Sequence, residues 1–177
     1  MTRLGRWEWA FAAEAVARGD ILLLLDDEAT TAHSADPGDR LWLLPSWRSE
    51  RPEAVKRSWW AEISRSNRER PADGTVPVRC LCDVVATHPL DDGTRGRIAR
   101  YHPWSRARAQ LARRALLVRA YARVPGPLAA EQGGDRYVEL ASDPQQDGLL
   151  PCLTDDAFAL HRAAIEHDLE PGLAPRG

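Results

Sequence analysis

The stretch VPVRCLCDVVATH, residues 76–88, alternates along most of its length. Val76, Val78, Cys80, Cys82, Val84 and Ala86 fall on one side; Arg79, Leu81, Asp83, Val85 and Thr87 fall on the other. A period of two over this length cannot be satisfied by a helix and requires a sheet. Residues 76–87 are therefore expected as a central or near-central strand, with Pro77 limiting its beginning.

The remaining chain supplies partners for that strand. ILLLL at 21–25 and LWLLP at 41–45 read as short buried strands, the latter closed by Pro45. ALLVRAYARV at 115–124 alternates, with Leu116, Val118, Ala120, Ala122 and Val124 opposite Leu117, Arg119, Tyr121 and Arg123. RYVELA at 136–141 is a final short strand. Helices are expected over 6–18, from Arg51 through Ser66, at SRARAQLARR (105–114) and from Thr154 to about Leu169. The alternative for the third is one long helix from 105 to 123, which its alanines favour. Gly19 suits a left-handed position ending the first helix. Glu14 and Arg18, four apart, are placed to pair on it. Ser105 and Thr154 suit N-caps. The order predicts an α+β fold: one compact domain over 1–177, a mixed sheet of about five strands with flanking helices, and a short flexible tail from about residue 171.

No apolar run approaches the ~18–20 residues that span a bilayer. The first residues lack a secretory pattern, because Trp7, Glu8 and Glu14 interrupt any apolar core. Three cysteines form no even disulfide framework and fit a reducing, cytoplasmic setting without membrane contact.

Charge is segregated. Residues 93–124 hold nine arginines and no acid, while the other 145 residues carry 15 basic and 26 acidic side chains. The balance is +9 against −11 inside a total of −2. Such a stretch can attract phosphates. Arg95, Arg97, Arg100, Arg106, Arg108, Arg113, Arg114, Arg119 and Arg123 are the candidate phosphate contacts, with His102, and Tyr101, Trp104 and Tyr121 as candidate base-stacking rings. The competing expectation is that these arginines pair with acids of the same fold, in a chain whose only lysine is Lys56.

The pieces WEWAFAAEAVARGDILLLL, LWLLPSW, YHPWS, ALLVRAYARVPGP and RYVEL, in that order, resemble the bacterial family called domain of unknown function 1802. The resemblance implies a setting beside restriction-endonuclease-like domains, and so a restriction or defence role with a separate nuclease. It also marks a departure. After the second strand the family pattern reads Pro-Thr-x-Glu-His-Gln, whereas this chain has Pro45-Ser46-Trp47-Arg48-Ser49-Glu50.

Catalytic constellations are sparse. A restriction-type centre needs strand carboxylates holding Mg²⁺ beside a lysine. Ala54 stands two before Lys56, and Asp83 has no adjacent lysine. No nucleophile elbow, glycine-rich phosphate loop or Walker sequence occurs. His88, Asp91, Asp92 and His102 are of metal-binding type without a recognised spacing. Cys80, Cys82 and Cys152 read as buried thiols. His161, between Phe158 and Ile165 with Asp168 two turns on, reads as a core or interface histidine, the alternative being an acid–base pair with that carboxylate. Trp42, Trp47, Trp59 and Trp60 read as core packing. These features predict a non-catalytic nucleic-acid-binding or accessory domain without cofactor or bound metal. The alternatives are a protein-interaction subunit that docks an acidic partner, and a metal-dependent phosphodiesterase built on His88, Asp91, Asp92 or His102.

Overall fold

Seven strands form one mixed sheet in a computed structural model that describes residues 4–27, 35–47, 52–72, 75–128, 136–140 and 148–171, with backbone only over 123–128. In chain order the elements are β1 (Leu4–Trp9), α1 (Ala10–Ala17), β2 (Leu23–Asp26), β3 (Arg40–Ser46), α2 (Trp60–Arg68), β4 (Val76–Pro89), α3 (Asp92–Ile98), α4 (Arg106–Ala109), β5 (Arg114–Leu128), β6 (Tyr137–Glu139), β7 (Leu150–Pro151) and α5 (Asp155–Leu169). The strand order is β2-β5-β4-β3-β1-β6, with β7 also on β5. Only β1 and β3 run parallel; the other pairs are antiparallel. The expected α+β class and mixed sheet are found, with β1 and β7 additional to the five strands read from the sequence.

β4 is internal, pairing with β3 and along most of its length with β5. Its expected single apolar face is divided. Val76 and Val78 pack with Leu81, Trp7 and Trp42, while Cys80, Cys82 and Val84 pack with Phe11 and Leu43. A register shift between Val78 and Cys80, the mark of a β-bulge, exchanges the two sides.

Three helix expectations need correction. Residues 6–9 belong to β1, and the first helix starts only at Ala10. The chain passes from strand to helix at Trp9 without a side-chain cap. Pairing with β3, Arg6 opposite Leu43, overrides the helical preference of the alanine-rich run. The second helix starts at Trp60, not Arg51, because Val55 makes a bridge with Trp104 and Lys56 N–H donates to Pro103 O at 2.9 Å. Pro52–Ala54 and Arg57–Trp59 are single 3₁₀ turns either side of that bridge. The third helix is limited to Arg106–Ala109, capped by Ser105 as expected, and Arg114 already lies in β5. α3 was not foreseen; Asp91 and Thr94 form a reciprocal capping box at its start. Gly19 has the expected positive φ of 80°, and α5 is capped by Thr154.

The two ends of the sheet meet. β2 and β6 are terminal in the strand order, yet Leu25 O of β2 accepts from Arg6 of β1 at 2.9 Å and from Arg136, beside β6, at 2.8 Å. Side chains thus bridge the closing edge of a curled sheet, where a ladder is absent. α1 packs against β3 and β4, α2 against α1, and α5 against α3. No helix among the described residues is long and apolar enough to cross a membrane.

Candidate functional site

Most of the arginine stretch is engaged within the fold. Arg95 donates to Ala112 O at 2.7 Å and Leu90 O at 3.0 Å, and pairs with Asp92 at 2.5 Å. Arg97 donates to Asp168 O and Glu170 O at the end of α5, at 2.9 and 2.6 Å. Arg100 pairs with Asp168 at 2.5 Å. Arg108 pairs with Asp27, Arg114 with Asp26 and Asp36, and Arg119 with Asp155. Arg106 and Arg113 are exposed without a side-chain partner among the described residues. The side chain of Arg123 lies outside the described residues.

The expected rings are also occupied. Trp104 is 3% exposed, with the guanidinium groups of Arg108 and Arg136 over its ring. Tyr121 packs against the cluster of Trp7 and Trp42, with Arg119 over its ring. His102 is buried, and its Nδ1 accepts from Trp104 N–H at 3.2 Å. Burial, then the charge of Lys56, pushes its pKa down to about 3. Lys56 donates to the carbonyls of Ala99 and His102, so the His-Pro-Trp-Ser segment docks residues 52–56 onto the core.

The metal candidates are not assembled: among the described residues no three His, Cys, Asp or Glu side chains are grouped to hold an ion. Asp91 caps α3, Asp92 binds Arg95 and His102 is enclosed. Cys80 and Cys82 have their sulfurs 3.7 Å apart. Cys152 donates to Ala17 O at 3.1 Å. The hydrogen bond with the Cys80 thiol, then burial, raises the pKa of Cys152, so it is a thiol and a poor nucleophile at neutral pH. The core placement expected for the α5 histidine needs correction. His161 is exposed, whereas Phe158 and Ile165 are buried; Asp168 is held by Arg100 and Tyr101 instead. Trp42 is buried and Trp59 packs on Phe11, as expected of core rings, but Trp60 is 43% exposed.

Two polar assemblies escape the sequence reading. The first is the seam. Arg6, fully buried, pairs with Asp26 at 2.5 Å and Glu8 at 3.2 Å, and donates to Tyr137 Oη at 2.6 Å. Burial opposes its charge, but Tyr137, Asp26 and Glu8 together hold its proton more tightly than usual. Burial likewise pushes the Asp26 carboxyl up; Arg6, the Tyr137 hydroxyl and Arg136 outweigh it and leave its pKa below the ordinary value.

The second is an open cleft of about 270 Å³ between α1, α2 and β4. Glu14, Ala17 and Arg18 come from α1, Arg65 from α2, Glu69 from its end and Arg79 from β4. A small recess of about 20 Å³ continues from it, lined by Leu43, Pro45, Trp47, Pro77 and Cys80. Arg79 Nη1 lies 3.3 Å from Glu14 Oε1, and Arg65 Nη2 lies 3.8 Å from Glu14 Oε2. Glu14 therefore faces Arg79 and Arg65, whereas Arg18 pairs with Asp20 and Glu62. Burial, then the adjacent charge of Glu69, raises the Glu14 pKa against the opposing pull of Arg79 and Arg65. The cleft thus offers acceptors, donors and planar guanidinium groups around a base-sized space. Pro45 and Trp47, which begin the segment where this chain departs from the Pro-Thr-x-Glu-His-Gln pattern, lie in its recess; residues 48–50 lie outside the described ones.

The pattern of a family described as "Domain of unknown function (DUF1802)" matches residues 7–164. No curated protein matches the chain. Two solved chains match. One is a crystal structure of a mutant ZmASCH protein from Zymomonas mobilis, 14% identical, with a TM-score of 0.43 over 81% of this chain and 93% of that one.

Proposed function

Taking as premise that the chain belongs to the DUF1802 family, we propose that it is a non-catalytic nucleic-acid-binding domain that takes an unpaired base into the cleft between α1, α2 and β4. The observation that carries this is the convergence of Glu14, Glu69, Arg65 and Arg79 around one base-sized opening. Unpaired bases are read by hydrogen bonds to their edges and by stacking on rings or guanidinium planes. Carboxyl and guanidinium groups in one cleft supply the first, and the arginine planes supply the second. Among the described residues, Arg106 and Arg113 are the exposed, unpaired arginines of the basic stretch that remain for phosphates.

A role beside a separate nuclease, in restriction or defence, completes the proposal. Lys56 supports a non-cutting role. The one lysine of the chain is held by two carbonyls instead of standing beside strand carboxylates. The alternative of an acidic protein partner draws on the same two arginines.

The test is fluorescence anisotropy with labelled single-stranded and duplex oligonucleotides of mixed sequence at low salt. Wild type should bind the single strand better than the duplex. Arg79→Ala should weaken it about tenfold or more, as expected for the loss of a hydrogen bond to a charged group. Arg106→Ala/Arg113→Ala should lower the salt slope by up to about two. Absence of single-strand binding by wild type, or binding indifferent to Arg79, overturns the proposal.

A further inference from the structure

We infer that the cleft selects guanine, the base whose pairing edge presents one carbonyl oxygen followed by two adjacent N–H donors. This rests on the reading of the cleft as a base-binding site. A guanidinium donor and a carboxylate acceptor stand side by side on its wall, Arg79 Nη1 being 3.3 Å from Glu14 Oε1. Guanine offers the complementary order. Arg79 donates to O6, and the Glu14 carboxylate accepts from N1–H and the N2 amine.

The capacity of Glu14 matches this demand. A carboxylate has about four acceptor positions. Arg79 takes one through Oε1. Arg65, at 3.8 Å, pairs by charge beyond hydrogen-bond range. Enough positions remain for two donors of the ligand. The other bases fail at identifiable atoms. Adenine places an amine against Arg79 and offers a bare ring nitrogen to Glu14. Cytosine also presents an amine to Arg79 and turns its ring nitrogen and O2 toward the carboxylate. Uracil and thymine keep the carbonyl and one N–H, but set O2 against a carboxylate oxygen. Burying like partners in this way leaves both without a hydrogen bond, which is how polar sites reject near-isosteric ligands.

Inosine separates this inference from the broader reading, because it differs from guanosine only in lacking the N2 amine. Binding is measured by titration calorimetry with short single strands of otherwise identical sequence carrying one central G, I, A, C or U. The guanine strand should bind tightest, with inosine weaker by about ten- to hundred-fold for one lost bond to a charged acceptor. Glu14→Gln keeps the shape but turns an N–H toward one guanine donor, and should remove the guanine-over-inosine preference. The wild-type series needs no variant, so a folding defect in Glu14→Gln cannot obscure the outcome. Equal binding of the guanine and inosine strands by wild type overturns guanine selection and leaves base binding standing. No binding by any strand overturns both.

Discussion

At the scale of single residues, Arg6 shows how a charge can become part of a core. Its guanidinium is fully buried, and Asp26, Glu8, Tyr137 and Leu25 O surround it. Removing one partner of such a set leaves the others unpaired in a low dielectric, which costs about 3–5 kcal/mol, whereas replacing the set by apolar groups costs far less. Arg6→Met should therefore lower stability by about that amount, and Arg6→Met/Glu8→Leu/Asp26→Leu should recover part of it. Urea unfolding of the three proteins checks this; a loss under about 1 kcal/mol for Arg6→Met would show a solvated pair. The sequence does not reveal this role. In LGRWEW, Arg6 and Glu8 share one side of the strand, a pattern that ordinarily marks a solvent face. Only closure of the sheet, which brings β2 to β1, turns that side inward. Glu14 and Arg79 were hidden for a related reason. They stand 65 residues apart, and their meeting depends on α1 lying over β4.

At the scale of elements, local pattern identified β4, β5 and α5, because long alternation and a good cap are properties of the segment itself. It misplaced the boundaries wherever a distant partner decided. β1 exists because β3 pairs with it, and α2 begins late because Val55 bridges to Trp104. The second case has a consequence in pH. His102 holds the same junction and is neutral, with Nδ1 accepting and its pKa pushed down to about 3, by burial first and Lys56 second. An unfolded chain takes up a proton at this residue near pH 6.5. A depressed native value means the unfolded state binds more protons between those limits. The stability contribution is thus complete above about pH 6.5 and is lost as pH falls toward 3, with a slope of up to ~1.4 kcal/mol per pH unit. The difference in unfolding free energy between wild type and His102→Gln, followed from pH 7 to pH 4, should shrink with that slope. Parallel curves would mean that His102 protonates as readily in the native protein as in the unfolded chain.

At the scale of the whole molecule, the segregated charge of the sequence is largely redistributed by folding. The acids that meet the basic stretch come from both sides of it, Asp26 and Asp27 before and Asp155 and Asp168 after. A linear count reads +9, but the folded surface does not carry it as one patch. The same folding gathers Glu14, Arg65, Glu69 and Arg79 from three segments into a cleft that no linear count could show. The central claim is that a single strand is bound there. The most direct measurement is a backbone-amide NMR titration of the labelled protein with a guanine-containing single strand. Saturable shifts should concentrate at Glu14, Ala17, Arg65, Glu69 and Arg79, with weaker, salt-sensitive shifts at Arg106 and Arg113. Shifts confined to residues 106–113, or no shifts at low salt, would contradict it.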